Sequence, residues 1–93
     1  MSDPSATGAA SGLGQRLRQA RLERGLSTSD LASQLHMRPE QIDVLEAGLT
    51  ERWPERAFAI AQARRLATAV GLDAESVVAD VRPIVDQLQT PSA

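Results

Sequence analysis

The chain has 93 residues, with 12 acidic and 10 basic side chains, a formal net charge of −2, and only Trp53 and Phe58 as aromatics. That length suits one domain with tails, and its core must be built from Leu, Val, Ile and Ala. With no cysteine, disulfides and thiolate metal sites are excluded. No apolar run approaches the roughly 20 residues of a membrane helix, and the start Met1-Ser2-Asp3-Pro4 has neither the basic nor the apolar region of a signal peptide. A cytoplasmic location is therefore expected. All ten basic residues are Arg, and the slightly acidic balance weighs against a protein whose affinity rests on phosphate contacts.

Residues 1–12 are rich in Ser, Ala, Gly and Pro with one charge, which predicts a disordered arm. A first helix is expected from Leu13 to Arg24, with Leu13, Leu17 and Ala20 on one face and Gly25 ending it in the left-handed conformation. Ser27 then caps a second helix, and Asp30 three residues on gives an Asp variant of the capping box. Leu31, Ala32 and Leu35 form its inward face. His36 and Met37 make a turn, and a third helix runs from Pro39 to Ala47, burying Ile42 and Leu45 and closing at Gly48.

A linker from Gly48 to Trp53 leads to Pro54, expected at the first position of a fourth helix. That helix continues to Val70, turns Ala63, Leu66, Ala67 and Val70 inward, and ends at Gly71. Asp73 caps a fifth helix carrying Val77, Val78, Val81, Ile84, Val85 and Leu88, which Pro83 should kink or split. The helix-turn-helix domain thus spans residues 13–89, followed by a frayed tail at 90–93. No strand or internal repeat is predicted, and the fold class is all-α with five helices.

The ordered set Arg21-Leu22-Glu23-Arg24-Gly25-Leu26-Ser27, Leu31-Ala32, Ile42 and Glu46-Ala47-Gly48 resembles the phage-repressor family (XRE or lambda-repressor-like) of helix-turn-helix proteins, from Leu13 to about Leu72. The resemblance implies an ion pair between Arg21 and Glu46. Beyond the third helix, Trp53-Pro54-Glu55-Arg56-Ala57-Phe58, Arg64-Arg65-Leu66-Ala67 and Val70-Gly71-Leu72-Asp73 look like the RodZ-type branch of that family. RodZ-type proteins use this domain as a cytoplasmic adaptor for the bacterial actin MreB. The chain departs from that branch in having Gln62 and Leu66 where further aromatics usually stand.

Two functional readings follow. In the repressor family the third helix enters the major groove, which makes Thr28, Arg38, Glu40, Gln41 and Val44 the DNA-facing positions. Arg, Lys, Asn and Gln are the productive base readers, and only Gln41 qualifies, with Arg38 placed for a phosphate. The favoured reading is a protein-docking adaptor or assembly factor using the fourth helix and its linker, through Trp53, Arg56, Phe58, Arg64 and Arg65, because aromatics and Arg dominate interface hot spots. Taken alone, Trp53 reads first as a hydrophobic plug below the start of the fourth helix, with the exposed interface anchor as its competing role. A homodimer through Val81, Ile84, Val85 and Leu88 is a further expectation. Neither an enzyme nor a cofactor is expected: no nucleophile neighbours a His, and neither phosphate-binding glycines nor metal-ligand spacing is present.

Overall fold

A computed structural model of the chain describes residues 5–89, and the side chains of residues 8–87. Five α-helices follow one another: α1 (Ser5–Glu23), α2 (Thr28–Leu35), α3 (Pro39–Ala47), α4 (Arg56–Ala69) and α5 (Ala74–Gln89). A single 3-10 turn, Thr50–Arg52, interrupts the linker between α3 and α4. No strand is found among the described residues. α5 packs along α4 and α1, while α1 crosses α3 and α2 leans on α3.

The local signals operate as their chemistry dictates. Ser27 Oγ accepts from Asp30 N–H at 3.0 Å and Asp30 returns the bond to Ser27 N–H at 3.2 Å, closing the capping box. Gly25, Gly48 and Gly71 have φ of +69°, +70° and +83° after α1, α3 and α4. Asp73 Oδ2 accepts from Ser76 N–H at 3.0 Å at the start of α5. His36 also adopts the left-handed conformation (φ +54°), a cost that a non-glycine residue bears, and the Met37 N–H reaches Ala32 O at 2.9 Å behind it.

The core joins Leu13, Leu17 and Ala20 of α1 to Leu31 and Ala32, Ile42 and Leu45, Ala63, Leu66 and Ala67, and Val77, Val81 and Val85. Three expectations change here. α1 begins at Ser5, so residues 5–12, assigned to the arm, are helical, whereas residues 1–4 and 90–93 lie outside the described residues. The cause is tertiary: Ala10 is fully buried and the Ser11 backbone lies against Gly48, where a Cβ would stand 2.9 Å from Ser11 N. Packing of this kind overrides weak helix propensity. Pro54 precedes α4 by two residues, because Trp53 before it takes the extended backbone (ψ 146°) favoured ahead of proline, and Glu55 remains extended too. α5 is not split by Pro83. The ring removes the bond to the carbonyl of Ala79, an exposed residue on the solvent side, where water can take the place of the lost donor.

The predicted dimerisation strip does not survive as a surface. Val81, Ile84 and Val85 are at most 2% exposed and belong to the core, while the Leu88 side chain lies outside those described. The backbones of α1 and α3 approach closely where they cross. A Cβ on Gly14 would overlap the Glu46 carbonyl, with Glu46 C at 2.6 Å, so this glycine is required by close backbone approach. By contrast, a Cβ at Gly12 meets nothing within 4 Å. Gly14→Ala is therefore expected to lower stability by about 2 kcal/mol, as overpacking does, and Gly12→Ala to raise it by about 0.5–1 kcal/mol through helix propensity. Thermal melts of the two variants followed by circular dichroism should move in opposite directions.

Candidate functional site

The frame that presents any functional face is set by Arg21 near the end of α1. Its Nε donates to Glu46 Oε2 at 2.7 Å and its Nη2 to Glu46 Oε1 at 2.9 Å, a two-pronged pair with both side chains 8% exposed. Nη1 donates to the Leu26 carbonyl at 2.8 Å, so one guanidinium holds α1, α3 and the loop entering α2. The Glu46 hydrogen bond lifts the pKa of Arg21 above its ordinary value, desolvation opposes this, and the charges of Glu46 and Asp43 add to the lift. With its folded-state pKa raised, the arginine side of this pair keeps its charge through the neutral range and gives up its proton only in strong alkali.

The outward face of α3 is poor in cations. Glu40 and Asp43 are exposed, Val44 is half-buried, and Thr28 stands half-buried at the start of α2. Gln41, the one base reader expected, is committed: its Oε1 accepts from Arg38 N–H at 2.9 Å, capping α3. Arg38 offers no acceptor in return.

The docking residues expected on α4 separate into two groups. Trp53 is 9% exposed, and its indole N–H donates to Val44 O at 3.4 Å, so it is a plug between linker and α3 and not a surface anchor. Phe58 is 61% exposed. The neighbouring guanidinium groups all reach acceptors within the chain: Arg56 to Asp86 at 2.6 Å, Arg64 to Glu75, and Arg65 to the Leu35 carbonyl. Residues Leu35, Arg64, Arg65, Thr68 and Ala69 line a shallow recess of about 340 Å³. These acceptors were not foreseen, since Asp86 and Glu75 come from α5 and only the fold brings them near.

A second recess, of about 240 Å³, lies between α3, the linker and α4. It collects four of the DNA-facing positions, Arg38, Glu40, Gln41 and Val44, with Arg52, Pro54 and Gln62. From sequence, Gln62 stood out only as a departure from the RodZ-type pattern and Arg52 only as a possible phosphate contact, because no spacing marks either as part of a recess. Among the described residues, no group of three or more His, Cys, Asp or Glu could hold a metal, and no helix is long and apolar enough to cross a membrane.

Set beside known protein families, residues 16–77, about two thirds of the chain, match the helix-turn-helix domain. The chain belongs to this helix-turn-helix domain family. No curated protein and no solved structure matches it. The family segment contains the Arg21–Glu46 pair, α2, α3 and all of α4, whereas Gly14 and Ala10 of α1 lie before it.

Because removing one partner of a buried pair leaves the other charge uncompensated, Arg21→Ala or Glu46→Ala should each cost about 3–5 kcal/mol. The double replacement Arg21→Met with Glu46→Leu should cost far less than the two single losses combined, read from urea unfolding midpoints.

Proposed function

We propose that this helix-turn-helix domain is a non-enzymatic protein-docking module, an adaptor or assembly factor working in the cytoplasm, whose partner lies against the outer face of α4. The observation that carries the reading is Phe58: a large aromatic 61% exposed on a rigid helix, flanked by the exposed Ala57 and Ala61 that let a partner approach closely. Such rings anchor interfaces when surrounded by contacts that exclude water. The recess at Leu35, Thr68 and Ala69 extends the same side of α4.

Arg56 and Arg64 support the reading as rim charges. Their pairs with Asp86 and Glu75 are roughly half or more exposed, and such pairs contribute only about 0–1 kcal/mol, so an acidic partner can compete for them. α3 offers weak grounds for groove reading, since Gln41 is occupied as a cap and Glu40 and Asp43 repel phosphate. The likeness of residues 53–73 to the RodZ-type branch makes a bacterial actin-like protein the first partner to try.

The test measures binding of the labelled chain to a purified bacterial actin-like protein and, separately, to mixed-sequence duplex DNA. Phe58→Ala is expected to weaken protein binding by about 30-fold, equivalent to a hot spot of about 2 kcal/mol, with Arg64→Ala weakening it less. DNA should give no saturable NMR shifts at residues 38–44 at low salt. Protein binding indifferent to Phe58, or saturable salt-sensitive shifts along α3, would replace the adaptor by a DNA-binding regulator.

A further inference from the structure

The recess between α3, the linker and α4 holds two features that the proposed α4 face leaves unused. Gln62 Oε1 is buried and has no hydrogen-bond donor among the described residues, although buried polar atoms are almost always partnered. Arg38 and Arg52 line the same recess, and neither has an ion-pair acceptor among the described residues. Arg16, Arg21, Arg56 and Arg64, by contrast, each pair with a carboxylate, and Arg65 reaches the Leu35 carbonyl. Gln41 adds its amide nitrogen, since only its oxygen is spent on capping α3.

We propose that this recess binds an extended peptide segment of a partner protein through a single Asp or Glu carboxylate, which Arg38 and Arg52 receive while a main-chain amide satisfies Gln62. The chemistry selects the occupant. A guanidinium and a carboxylate form short, directional, charge-assisted bonds. Gln62 requires a group that a carboxylate lacks and that a peptide unit supplies, and because that unit carries both a donor and an acceptor it pairs with either end of the amide. A phosphodiester backbone brings no such N–H. The volume of about 240 Å³ suits one side chain with adjoining main chain and is below the range of drug-sized ligand pockets. Val44 and Pro54 provide the apolar wall. Glu40 also lines the recess, and with Asp43, Glu51 and Glu55 on neighbouring exposed positions it disfavours a polyanion carrying a charge every ~1.7 Å of helix axis. One carboxylate held at short range by two guanidinium groups tolerates that background.

Phe58 stands one helical turn before Gln62 but is not among the residues that line the recess, and the experiment distinguishes the two. A displayed library of random peptides of about 12 residues is selected on the purified chain, and the enriched sequences are resynthesised and measured by fluorescence polarisation. The expected result is enrichment of peptides with an essential Asp or Glu, whose replacement by Asn or Gln weakens binding by about tenfold or more. Arg38→Ala and Arg52→Ala should each weaken it by a similar factor, and Phe58→Ala should leave it unchanged. Gln62→Leu should abolish binding and yet raise Tm by about 5 °C, because it removes a buried acceptor without a donor. No enrichment, neutral peptides that bind equally well, binding indifferent to Arg38 and Arg52, or binding lost in Phe58→Ala would each overturn the proposal. So would displacement of the peptide by duplex DNA at physiological salt, or a Tm lowered by Gln62→Leu.

Discussion

Everything presented at the surface depends on one buried guanidinium. Arg21 satisfies three acceptors at once, two on Glu46 and one on the Leu26 carbonyl, and the groups it joins belong to α1, α3 and the turn between α1 and α2. An ion pair of this kind adds little net stability beyond what apolar side chains of similar volume would give. Its value is geometric: a planar fork with fixed donor directions admits one relative placement of the helices it connects. The close backbone contact of Gly14 with Glu46 acts on the same crossing from the other side, so the C-terminal end of α3 is held by both charge and contact.

Much of this architecture was legible where the physics is local. Ser27 and Asp30 close their capping box, glycines stand at the left-handed positions after α1, α3 and α4, and the inward stripe of α4 falls on Ala63, Leu66, Ala67 and Val70. Residues 5–12 were not legible as helix, since a run of Ser, Gly and Ala becomes helical here only because Ala10 finds a place beside Gly48. Trp53 was ambiguous for the same reason, its burial being decided by a carbonyl of α3 nine residues earlier.

The candidate site was legible in its residue types and poorly so in its pairings. Arg56, Arg64 and Arg65 were legible as docking candidates, but Asp86, Glu75 and the Leu35 carbonyl lie 11 to 30 positions away and become neighbours only through the packing of α2, α4 and α5. The apolar run of α5 was read as partly surplus, yet Ile84 and Val85 are needed to cover α1 and α4. Among the described residues, Phe58 remains as the large hydrophobic side chain that the fold leaves most open. The family assignment explains the frame, while the chemistry of its faces differs: α3 is acidic and self-capped, and α4 is aromatic and cationic.

Trp53 carries one more consequence. It is the chain's single indole, and its N–H is tied to the same Val44 carbonyl that receives the Leu49 amide at 3.1 Å, so its spectroscopic environment belongs to the seam between linker and α3. Its emission reports the parting of that seam, whereas the far-ultraviolet dichroism reports all five helices together. The molecule therefore contains its own optical gauge for distinguishing a loosening of the linker from the melting of the whole domain.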